Sequence, residues 1–98
     1  MKKLSPSAPV ETLVARITGK VQGVGFRMST VRQAHSLGVT GWVRNLEDGS
    51  VEALLQGPHD VIDKMLSWLH VGPRPARVES VETRDVHDER HYDRFVQI

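Results

Sequence analysis

No cysteine occurs among the 98 residues, which excludes a disulfide framework, a zinc–thiolate site and a thiol nucleophile. The lack fits a reducing compartment, and a cytoplasmic location is expected. Long apolar runs are missing too. Met1–Val10 holds two lysines, two serines and two prolines, too broken a stretch for a signal peptide or a membrane span. We read residues 1–11 as a flexible N-terminal arm and residues 12–98 as a single domain. A domain of this size buries only about 60–65% of the surface its unfolded chain exposes. It has little room for a closed cavity, so the site is expected on a surface loop.

Acidic residues are missing from one half of the chain. Between Thr12 and Leu46 there is no Asp or Glu, while Arg16, Lys20, Arg27, Arg32 and Arg44 all fall there. The net charge is only +1, so no global basic field for nucleic acid exists. The local excess of cations instead suggests a small anionic ligand. Chance clustering on a solvated surface fits the charges equally well.

What is present is a regular succession of elements. Thr12–Thr18 alternates as a strand, and Gly19–Gly25, with three glycines, reads as a loop. Phe26–Leu37 has Val31, Ala34 and Leu37 at helical spacing, with Gly38 where a C-cap belongs. Thr40–Leu46 and Ser50–Gln56 read as strands joined through the Asp48-Gly49 hairpin signal. Val61, Ile62, Met65, Leu66 and Leu69 mark a second helix after Pro58, broken by Gly72-Pro73-Arg74-Pro75. Arg77–Val86 is a strand in which Val78 and Val81 differ in parity, so a bulge or an edge is expected there. His87–Asp93 is a polar loop and Arg94–Ile98 a short last strand. Two split β-α-β units joined by a hairpin give an α+β, ferredoxin-like sandwich. Both helices should cover one face of a mostly antiparallel four- to five-stranded sheet.

The segment Gly19-Lys20-Val21-Gln22-Gly23-Val24-Gly25-Phe26-Arg27 runs from a strand into a helix. Glycines let such a backbone turn its N–H groups inward, and a helix N-terminus adds free donors and positive dipole. Arg27 can add a planar fork of donors for phosphate oxygens. A Walker loop needs Gly-Lys-Ser/Thr where Gly25-Phe26-Arg27 stands, and Met28 replaces the third glycine of a dinucleotide fingerprint. Val21 occupies the nucleophile position of a cysteine-phosphatase loop, so a phosphocysteine route is impossible. A glycine-rich connection beside an ordinary solvated arginine remains the alternative.

This segment resembles the first signature of the acylphosphatase family, and Gly41-Trp42-Val43-Arg44-Asn45-Leu46-Glu47-Asp48-Gly49-Ser50-Val51-Glu52 resembles the second. The similarity continues through Gly57, the second helix and Gly72-Pro73-Arg74-Pro75-Ala76, and covers Thr12 to Ile98. The resemblance implies hydrolysis of acyl phosphates to carboxylate and inorganic phosphate on a ferredoxin-like sandwich. It implies that Arg27 binds the phosphate together with the amides of Gln22, Gly23, Val24, Gly25 and Phe26. It implies that Asn45 positions the attacking water. The arm before Thr12 and the polar His87–His91 loop depart from the family pattern and bear on partners and oligomeric state, not on the chemistry.

Elementary chemistry agrees with that reading. Phosphoryl transfer is mainly positioning and charge stabilisation. An amide such as Asn45 both donates and accepts, so it can hold a water without adding charge, although it can also bond its own turn. We expect no carboxylate to serve as general acid or base, and His35 lies more than two helical turns beyond Arg27. The leaving group must then depart without a protein acid, which a carboxylate does easily and an alkoxide does not. The substrate phosphate is expected to take the water proton itself. No metal, no cofactor, no nucleic acid and no membrane partner are expected, and the chain should act as a monomer on a small acyl phosphate.

Other features point elsewhere only weakly. His87 and His91 have the spacing of a helical zinc pair but lie in a segment without helix signals. His59 and His70 should bracket the second helix, and Trp42 and Trp68 should be packing residues. An RNA-binding sheet would need exposed aromatics, for which Trp42, Tyr92 and Phe95 are the candidates. An acylphosphatase-like regulatory domain of a larger maturation protein is a further alternative, disfavoured by how soon the chain ends after its last strand.

Overall fold

The computed structural model describes residues 9–87 and 89–98. Alternating residues of the first strand, β1 (Val10–Lys20), send Leu13, Ala15 and Ile17 into the core. The strand starts two residues before the expected Thr12, because main-chain pairing to a neighbour does not require apolar side chains. Val10 pairs with Pro58 and Glu11 with Gly57, so both leave the arm expected over residues 1–11. Residues 1–8 of that arm lie outside the described residues. β1 is followed by α1 (Phe26–Leu37), ended as expected by Gly38, whose N–H donates to Ala34 O. Then come β2 (Thr40–Asn45), β3 (Val51–Pro58), α2 (His59–Leu69), β4 (Arg77–Asp85) and β5 (Phe95–Gln97).

The sheet order is β4-β1-β3-β2-β5, antiparallel throughout except for the parallel pair β2/β5. β3 lies between β1 and β2, and β1 lies between β3 and β4. That is the split β-α-β arrangement expected of a ferredoxin-like sandwich, with a short fifth strand added at one edge. Ile17, Val43, Val51, Ala53, Leu55 and Phe95 form the sheet side of the core, and Ala34, Ile62, Met65 and Leu69 the helix side. Among the described residues no helix is long and apolar enough to cross a membrane.

Two local features refine the expected pattern. The buried line of α1 is Phe26, Thr30 and Ala34, with Val31 and Leu37 only partly buried. Thr30 can lie in the core because its hydroxyl donates to Phe26 O at 2.7 Å. Docking of α1 therefore leans on Phe26, whose ring meets Trp68 of α2 at 5.8 Å. Truncating such a ring costs about 3–5 kcal/mol. On the β4 edge, Thr18 pairs with Ser80 but Gly19 pairs with Val78, which leaves Glu79 unpaired in a bulge. The bulge resolves the parity conflict, since Val78 and Val81 both pack against the core.

His59 opens α2 with its ring between two carboxylates. Nδ1 lies 2.8 Å from Glu11 and Nε2 lies 3.2 Å from Asp63. Its hydrogen bond to Glu11 and the charge of Asp63 raise its pKa above the ordinary 6.5. Because the folded-state value is the higher one, this stabilisation is complete below pH 6.5 and fades as pH rises through the raised value. Urea unfolding midpoints should accordingly drift down on the alkaline side of 6.5, and His59→Gln should flatten that drift. An identical slope in the variant would show that His59 is not the group responsible.

Candidate active site

The chain leaves β1 at Lys20 and must reverse into α1 within five residues. Gly23 and Gly25 make this possible at φ of 77° and 76°. A side chain at either would have space but would be strained by about 1–2 kcal/mol. Gly25 is the N-cap of α1 and makes no side-chain cap bond, and no acidic residue stands in the first turn. The first i→i−4 bond is donated by Ser29 N to Gly25 O. The N–H groups of Phe26, Arg27 and Met28 precede it and are left for a ligand, with the positive end of the helix dipole behind them.

These groups border a cleft of about 180 Å³. The loop and helix start contribute Val21, Gln22, Gly23, Gly25, Phe26, Arg27 and Met28. The sheet contributes Asn45 from the end of β2 and Gln97 from β5. Arg27 and Asn45, 18 positions apart in the chain, thus line the same cleft. Val24, also expected at the site, does not line it, and its side chain packs against the core. Gln97 and Met28 are not legible as site residues in the sequence. Gln97 arrives through the parallel pairing of β5 with β2, for which the sequence carries no local signal.

Gln22 has a second part to play. Its side-chain Nε2 donates to Leu46 O at 2.7 Å and to Ser50 O at 2.8 Å. One amide thus ties the glycine loop to the hairpin that follows Asn45. Asp48 stiffens that hairpin, accepting from Ser50 N at 2.9 Å and from the Ser50 hydroxyl. It also pairs with Arg16 of β1 at 2.6 Å. The Ser50 hydroxyl and then Arg16 hold the Asp48 carboxyl far below the ordinary carboxylate range, so it stays charged.

The cleft lining has one formal cation and no carboxylate or imidazole. Asp48 is engaged as described, and Glu52 is paired with Arg44 at 2.7 Å. His35 is turned to Phe95 O, 3.1 Å from its Nε2, where it joins α1 to β5. Among the described residues no group of three or more His, Asp and Glu is placed to hold a metal. The Arg27 guanidinium has one long bond, Nη1 to the Ile98 main-chain oxygen at 3.4 Å, too long to hold it against a phosphate in the cleft. Of the candidate aromatics for base stacking, Phe95 is 2% exposed and belongs to the core, while Trp42 and Tyr92 are half-buried beneath the guanidinium groups of Arg44 and Arg90.

Comparison with known proteins gives a consistent result. The family model described as Acylphosphatase matches residues 13–97. The acylphosphatase of Paraburkholderia xenovorans (strain LB400) is 57% identical over 88 residues, 90% of this chain and 91% of that one. The solved acylphosphatase from Coxiella burnetii superposes with a TM-score of 0.86 at 37% identity, covering 91% of this chain and 93% of that one. The one from Bacillus subtilis gives 0.86 at 27% identity, covering 92% and 99%.

Removing the Gln22 tether should loosen the cradle more than the fold. Leu46 O and Ser50 O keep their bonds from Gly49 N and Leu46 N, so neither is orphaned when the Gln22 amide is lost. Gln22→Met is expected to cost about 1 kcal/mol of stability. Its affinity for inorganic phosphate, measured by calorimetric or NMR titration, should fall about tenfold. Wild-type affinity in the variant would mean that the loop keeps its shape without the tether.

Proposed function

Because this chain belongs to the acylphosphatase family and hydrolyses acyl phosphates, we propose that the Gln22–Phe26 loop amides and Arg27 hold the substrate phosphate while Asn45 orients the attacking water. The water oxygen attacks phosphorus in line with the acyl oxygen. The bond between phosphorus and the acyl oxygen breaks, and its electron pair leaves with the carboxylate. The water proton passes to a phosphate oxygen, giving inorganic phosphate. Residues 10–98 are the working unit, a cytoplasmic monomer that needs neither metal nor cofactor.

The observation that carries this reading is a cleft with donors on its walls and no carboxylate or imidazole side chain. Backbone N–H groups and a guanidinium neutralise charge on the equatorial oxygens as the transition state develops. A carboxylate leaving group is a weak base and needs no acid, so the missing acid costs nothing with an acyl phosphate. With an alkyl phosphate the same lack leaves an alkoxide unprotonated. Asn45 is neutral and stands at the sheet side of the cleft, a suitable place to hold a water without repelling it from the anion.

Hydrolysis of benzoyl phosphate should therefore far exceed that of an alkyl phosphate monoester, survive dialysis against a chelator, and be inhibited competitively by inorganic phosphate. Comparable rates on the two substrate types, or activity restored by added magnesium or zinc, would overturn the reading.

Variants separate the two roles. Arg27→Ala should lower kcat/KM by about 10³–10⁵, and Arg27→Lys should recover little of it, since a point charge cannot reproduce the fork. Asn45→Ala should lower kcat by about 10²–10³ while phosphate inhibition stays near wild type. Both proteins should keep the wild-type circular dichroism spectrum. Lost phosphate affinity with kcat preserved in Asn45→Ala would make Asn45 a binding residue.

A further inference from the structure

The proposed roles account for the phosphate end of the substrate, and recognition of the acyl end rests on that same reading of the cleft. At about 180 Å³ the cleft is smaller than the roughly 300–1,000 Å³ that encloses a whole small-molecule ligand. It takes a phosphate, and an acyl group of more than a few atoms must rest on the rim. Three large apolar side chains line the cleft. Val21 and Phe26 are 1% and 2% exposed and belong to the core, whereas Met28 is 57% exposed. Met28 therefore supplies the apolar surface that an acyl group can cover.

Direction favours the same residue. In-line displacement puts the leaving carboxylate opposite the attacking water. With the water at Asn45 on the sheet side, the acyl group departs away from the sheet and past the rim of the cleft, where Met28 is exposed. One helical turn further on, Arg32 brings a guanidinium nitrogen to 3.7 Å from the Met28 sulfur. A thioether at a ring edge and a guanidinium against a ring face are both favourable partners for an aromatic group. A short aliphatic acyl group reaches neither.

We propose that Met28, backed by Arg32, is the acyl-recognition lip of the active site and selects aromatic acyl phosphates over short aliphatic ones. The test compares kcat/KM for benzoyl, acetyl and succinyl phosphate, with phosphate inhibition as the control for the other end of the site. The wild type should prefer benzoyl to acetyl phosphate. Met28→Ala should shrink that preference about five- to tenfold, chiefly through the KM for benzoyl phosphate, with phosphate inhibition unchanged. Met28→Leu should restore part of it through apolar contact alone. Arg32→Ala should shrink it about two- to threefold.

An unchanged benzoyl-to-acetyl ratio in Met28→Ala would overturn the proposal. So would an equal loss on both substrates, which would put Met28 at the phosphate end. If Arg32→Ala harms succinyl phosphate more than benzoyl phosphate, the rim selects acidic acyl groups and the aromatic preference is wrong. Should the wild type turn over none of the three, the failure would lie in the underlying assignment of the cleft.

Discussion

Two hydrogen bonds from the Gln22 side chain span the gap between the parts of the site. Residues 21–25 form no strand or helix, so nothing in the regular backbone ladders fixes their distance from the end of β2. The tether to Leu46 and Ser50 does so, and the ion pair of Asp48 with Arg16 braces the hairpin from the β1 side. Such bracing matters because a displacement of about 1 Å between reacting groups can cost 10²-fold in rate. Exposed ion pairs contribute little to overall stability. The Arg16–Asp48 pair is better understood as fixing a geometry than as holding the protein together.

Charge follows the same division. The stretch without Asp or Glu, Thr12 to Leu46, contains the glycine loop, α1 and β2, and so every residue of the cleft lining except Gln97. Carboxylates return in the hairpin, α2 and β4. Asp48 and Glu52 fold back onto Arg16 and Arg44, whereas a dianion approaching the loop meets no negative side chain in the cleft lining. Desolvation raises the value of the remaining donors, since interactions strengthen as water leaves.

Much of this is legible in the residues, for identifiable reasons. Glycines in the β1–α1 turn, Gly38 after α1 and the Asp48-Gly49 turn mark local backbone requirements, and local requirements leave local signals. The clash of parity between Val78 and Val81 marks the bulge at Glu79. Contacts made by long-range pairing are not legible. Gln97 reaches the cleft only because β5 joins β2 in parallel, and Val10 and Glu11 enter β1 through main-chain bonds indifferent to side-chain polarity. Gln22 is expected at the site for its backbone, yet its side chain does a separate job that depends on where the hairpin lies. In the sequence Met28 is a filler of the helix pattern, and only its exposure beside Arg27 sets it apart.

The strand order has a consequence for how the site responds to its own product. β1 and β2, which carry the loop and Asn45, both lie inside the sheet, while β4 and β5 form its edges. Moving the root of the loop away from Asn45 therefore means parting interior strands, and only Gln97 rides on an edge strand. The binding free energy of a ligand there is transmitted to the folded state by mass action, growing with the logarithm of free ligand above its dissociation constant. Under the proposed roles inorganic phosphate, released at every turnover, would stabilise the entire domain.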